Sequence, residues 1–183
     1  MVLQFDDVDT LAIVLDQELI YAGQNVDEPP PEASRSPRYV MPLRAFATSV
    51  ATALAGETIT GLRIELARQS RARTYRVVAT TPAALVEGEV TIGGSADGSD
   101  SEAQSVIRRR LADVLTVVVA HDALCIRERQ GTLVPAASSV ILGFRGGYEV
   151  TLEDASDPMQ KPRELSGVDL LTVPSLVASV ASA

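Results

Sequence analysis

The chain of 183 residues is poor in the side chains that most chemistry recruits: one cysteine, Cys125, one histidine, His121, one lysine, Lys161, and no tryptophan. A single cysteine excludes an intramolecular disulfide, and no Cys/His set has the spacing of a zinc site, so no metal is expected. There is no lysine-bearing phosphate loop and no glycine-rich dinucleotide turn, so no cofactor is expected either. Long apolar runs are missing as well. The densest stretches, Leu115 to Ala120 and the interrupted segment Val168 to Ala183, fall short of the roughly 20 residues a spanning helix requires, which argues against a membrane role. The opening residues 1–7 have no basic segment ahead of an apolar run, so no secretory leader is expected and a cytoplasmic location, or a virion assembled in the cytoplasm, fits best.

What is abundant is apolar and acidic. Hydrophobic residues make up 46% and charged residues 22%, enough to organise one core in a chain of single-domain length. The formal net charge is −8, which opposes the long-range attraction a nucleic-acid binder uses, so nucleic acid is not the expected partner.

Charge falls in blocks along the chain. Residues 1–34 hold eight acids and no base, whereas residues 35–76 hold eight arginines against Glu57 and Glu65, a net of +6. Surfaces of opposite sign can dock onto each other between copies and set register more than affinity. Arg68, Arg71, Arg73 and Arg76 near a hairpin tip, with Arg108 and Arg109, are the candidate basic contacts for an acidic protein partner or a second copy. Only Tyr75 lies near them as a stacking group, which is little for RNA.

The hydrophobic pattern predicts an α+β fold: a mostly antiparallel sheet covered by two main helices, with an acidic N-terminal arm and a short C-terminal helix. The arm is residues 1–23, a strand Val2 to Phe5 followed by a helix Val8 to Tyr21 or by two strands. Pro29, Pro30, Pro31 and Pro37 make 24–38 an extended linker. The core domain is 39–154 and the tail 155–183.

Within the core, Leu43, Phe46, Val50 and Leu54 predict a helix from Pro42 to Ala55. A hairpin follows, with Leu62, Ile64 and Leu66 on one face of its first strand and Arg63 and Glu65 on the other, and Tyr75 to Ala79 as its second strand. Thr81 and Pro82 suggest a short helix ending at Gly88, ahead of a strand Glu89 to Ile92. A second long helix is expected from Glu102 to Ala120, burying Val106, Leu111, Leu115 and Val118, with Ser101 and Gln104 in capping-box spacing. Strands are expected at Leu124 to Arg129, Ser138 to Phe144 and Tyr148 to Glu153. A helix starting near Pro174 would carry Val173, Leu176, Val177 and Val180 on one side, and Leu176 and Val180 complete the set of candidate contact residues.

Two chemical constellations stand in the sequence. His121, Asp122 and Cys125 at the end of the expected long helix could supply a base, an orienting acid and a thiol for a small enzyme or ligand-binding domain acting on an anionic or acyl substrate. The loop 93–102 sits where backbone amides can cradle a phosphate, yet Asp97, Asp100 and Glu102 would repel one. The leading expectation is therefore a non-enzymatic assembly or adaptor protein, a homo-oligomer or a binder of another protein, such as a viral structural component or a bacterial accessory subunit.

Overall fold

The computed structural model describes residues 37–69, 72–92, 103–121, 126–129, 132–135, 138–154 and 171–183. In chain order these form helix α1 (Pro37–Leu54), strands β1 (Gly61–Gln69), β2 (Ala72–Thr80), β3 (Ala84–Ile92) and β4 (Ala103–Arg110), a 3-10 turn (Leu111–Asp113), strands β5 (Val114–His121), β6 (Ile126–Arg129), β7 (Thr132–Pro135), β8 (Ser138–Phe144) and β9 (Glu149–Asp154), and helix α2 (Val173–Ser182). Every strand pairing is antiparallel, so the described region is α+β with a mostly antiparallel architecture. The predicted acidic arm 1–23 and the loop 93–102 lie outside the described residues, as does most of the linker.

The first sheet is a meander in the order β1-β2-β3-β4. One face is covered by α1, whose predicted stripe Leu43, Phe46, Val50 and Leu54 is fully buried against Leu62, Tyr75, Val77, Ala79, Val86, Val90 and Ile92. Glycine at position 88 is what lets the helix come this close: a Cβ there would sit 2.9 Å from Phe46 Cε2 and 3.2 Å from Val50 Cγ2. The helix starts five residues earlier than its apolar stripe suggests and carries Pro42 within it. It ends in two left-handed residues, Ala55 at φ 54° and Gly56 at φ 73°.

The second sheet, β5-β8-β9, packs on the opposite face of the first. Val78 and Leu85 from the meander join Leu111, Val140, Leu142, Phe144, Val150 and Leu152 in a second core, closed by Leu171, Val173 and Leu176. Helix α2 lies where Val173, Leu176, Val177 and Val180 predicted its apolar side, with Thr172 and Ser175 exchanging capping hydrogen bonds at its start. A two-stranded ribbon, β6-β7, is inserted between β5 and β8, so two hairpins are nested in one excursion of the chain.

The structure departs from two sequence expectations. Residues 103–121 form no helix; the chain runs as β4, a single 3-10 turn and β5. The segment contains seven β-branched residues, Val106, Ile107, Val114, Thr116, Val117, Val118 and Val119, which lose side-chain freedom in a helix and fit a pleated sheet. The turn is the point where the chain passes from the first sheet to the second: Leu111 N donates to Ala83 O at 3.0 Å and Arg145 N donates to Asp113 O at 2.9 Å. The sheet is thus covered by α1 and by the second sheet, not by two long helices. Second, Thr81 opens a tight turn instead of a helix: its Oγ1 accepts from Ala84 N at 3.0 Å, and β3 starts at Ala84.

Candidate functional site: an ionic seam and an apolar edge

Strand alternation sends Arg63, Glu65, Arg76, Glu87 and Arg109 to the face of the meander turned away from α1. The second sheet covers this face, so these charges, the candidate contacts Arg76 and Arg109 among them, lie between two sheets. Arg63, 5% exposed, donates to Asp154 Oδ1 of β9 at 2.9 Å, pairs with Glu65 at 2.7 Å, and donates to the carbonyl of Glu153. Asp154 in turn accepts from the backbone N of Val173 at 3.0 Å, where α2 begins. Arg76 bridges Glu65 at 3.0 Å and Glu87 at 2.7 Å, and reaches the Thr151 carbonyl at 2.7 Å.

The far end of the seam is aromatic. Tyr148 donates to Glu87, and the Arg109 guanidinium lies 4.6 Å above the Tyr148 ring. Burial and the neighbouring Glu87 carboxylate push the Tyr148 phenol from 10.0 up to about 12. Arg76 is held in its charged form by Glu87 and Glu65 against the cost of burial. The seam therefore consists of carboxylates matched to guanidiniums and a phenol locked in its neutral form. Such a lattice fixes the stacking of the two sheets; it offers neither a free base nor a nucleophile paired to one.

Arg108 is also engaged within the chain: it donates to the Ala53 carbonyl at 2.9 Å and pairs with Glu57, which accepts a further hydrogen bond from Thr81. These two partners hold the Glu57 carboxyl below its ordinary value of 4.5.

The remaining candidate contacts are scattered. Arg68 and Arg73 stand opposite each other in register at the turn end of the β1-β2 hairpin. Arg71 lies outside the described residues. Leu176 is buried in the second core and Val180 is half-buried against it. His121 is the last residue of β5, a strand end instead of the expected helix end, so no helix dipole acts on it; Asp122 and Cys125 lie outside the described residues. Among the described residues no group of three or more His, Cys, Asp or Glu could hold a metal ion, and no helix is long and apolar enough to cross a membrane.

The feature the helical reading concealed is β5 itself. Among the described residues it is an edge strand, paired on one side with β8. Leu115 is 65% exposed, Val118 50%, Val119 41% and Val117 40%, and Thr116 and Ala120 are exposed too. Both faces of one strand are thus apolar and uncovered. On the outer face Val118 stands opposite Ile141 of β8, which is exposed as well. The signal for it was the run Val117, Val118 and Val119, which no amphipathic helix needs.

No protein-family model, no curated protein and no solved structure matches the chain.

Proposed function

We propose that this chain is a non-enzymatic assembly or adaptor protein that acts by associating with copies of itself or with another protein. The observation that carries this reading is β5. An edge strand presents a row of unpaired N–H and C=O groups, and large apolar side chains on both of its faces add surface that is unfavourable in water until a partner covers it. The role of the arginines shifts accordingly. Arg76, Arg108 and Arg109 have intrachain partners, and the sequence offers Arg68, Arg71 and Arg73, around the β1-β2 turn, as the basic contact for an acidic surface. The acidic block 1–34 of a neighbouring copy has the sign to meet it.

Native mass spectrometry of the full chain across protein concentration and salt tests the reading. A defined oligomer is expected, or a stoichiometric complex once a partner is supplied. If hydrophobic contact dominates, moderate salt leaves the assembly intact; if the arginines dominate, it loosens. A chain that stays monomeric at every concentration and whose β5 amides exchange no more slowly with any partner present overturns the proposal.

A further inference from the structure

Resting on that reading, we infer that the occupant of the β5 edge is β5 of a second copy, paired antiparallel across a two-fold axis to join two three-stranded sheets into one of six strands.

The edges of the two sheets differ in a way that selects this occupant. Edge strands that must not meet a copy are guarded by charge, proline or cover. Strand β1 carries Arg63, Glu65 and Arg68, β4 ends in Arg108, Arg109 and Arg110, and β9 holds Glu149, Glu153 and Asp154. Strand β5, Val-Leu-Thr-Val-Val-Val-Ala-His, has no formally charged residue and no proline. Its bulge, between Val114 and Thr116, lies at one end and leaves the run 116–121 in regular register. Of the four edge strands of the meander and the β5-β8-β9 sheet, among the described residues, it alone carries no charged side chain.

Symmetry supplies the rest. A two-fold axis perpendicular to the sheet pairs a strand with itself antiparallel and places some residue opposite its own copy. Cross-strand neighbours point to the same face, so this residue is a whole position such as Val117 or Val118. Centred on Val118, Val117 meets Val119 twice and Thr116 meets Ala120 twice; centred on Val117, Leu115 meets Val119 twice and Thr116 meets Val118 twice. In either register no charges oppose one another, and the central pairs are β-branched, the type that packs well between strands. A helix or groove would cover only one face of β5. A second β5 extends both faces at once and satisfies the outward backbone groups along the strand.

The experiment uses the full chain. Val118→Lys and Val118→Glu are made separately and each is examined by native mass spectrometry and thermal unfolding. The wild type is expected at twice the chain mass and each variant at the mass of one chain, since a like charge now faces its own copy near the axis. Mixing the two variants is expected to restore the doubled mass as a one-to-one heterodimer, which a merely misfolded variant could not do, and Val118→Thr is expected to remain a dimer. An oligomeric wild type whose mass neither charged variant changes overturns this inference while leaving the assembly reading standing. So does monomerisation by both variants with no recovery on mixing. A wild type that is monomeric throughout, with β5 protected from amide exchange in the single chain, overturns the inference by placing the occupant within the same chain, and failure to bind any partner then removes the assembly reading too.

Discussion

Arg63 of β1 and Asp154 of β9, 91 residues apart in the chain, meet at 2.9 Å in the space between the two sheets. The same carboxylate accepts from Val173 N, so one aspartate connects the meander, the second sheet and the start of α2. Replacing it with alanine strands an almost fully buried guanidinium with Glu65 as its remaining acid. Asp154→Ala is expected to lower stability by about 3 kcal/mol, and Asp154→Asn by less because it keeps an acceptor for Val173. Urea unfolding with an unchanged slope is the check, since a changed slope would report altered compactness of the denatured or native state, or a loss of two-state unfolding.

Gly88 sets the distance between α1 and the meander. Gly88→Ala places a methyl within 3.0 Å of two Phe46 ring carbons and is expected to cost about 1–3 kcal/mol. Phe46→Leu should recover part of that loss in the double variant. The coupling, read from a thermal-denaturation cycle, separates this steric effect from the general preference of strands for residues other than glycine.

Tyr148 predicts an alkaline limit. Its phenol ionises at about 12 in the folded protein and at 10.0 when unfolded, so between those values the unfolded state has lost a proton that the folded state retains. Stability must therefore fall as pH rises through that window. Tyr148→Phe is expected to flatten the fall, and unfolding midpoints of the two proteins at stepped alkaline pH report the difference.

Glu57 predicts the opposite slope in acid. Its folded value lies below 4.5, so the stability it contributes is present above that pH and disappears as pH drops through the folded value. Glu57→Gln is expected to be less stable than wild type near neutrality and to converge with it in acid. Denaturant midpoints from neutral pH downward test this.

The α+β character, α1 with all four of its predicted contact residues, the β1-β2 hairpin and the whole of β8 were legible in the sequence because local pattern and burial agree there. The segment 103–121 was not. Val106, Leu111, Leu115 and Val118 can share a helical face, but the β-branched density around them decides for strand once β3 and β8 offer pairing edges. The seam was half-visible. Alternation puts Arg63 and Glu65 on the correct face, but periodicity cannot say that a second sheet covers it; the hint in the sequence is that Arg76 and Glu87 occupy that same face on the next two strands. His121 lost its helix end for the same reason that β5 gained its edge.

The two cores also differ in when a growing chain can complete them. The core under α1 draws its members from residues 43 to 106, and every strand of its sheet pairs with the one before it. The second core needs Val78 and Leu85 at one extreme and Leu171, Val173 and Leu176 at the other. During synthesis the meander can close over α1 while the apolar inner faces of β8 and β9 still wait for their cover. Until residue 176 has been made and α2 docks, the nascent protein exposes a half-built core beside an unguarded strand edge, and this interval is when wrong pairing between chains on one messenger is most favoured.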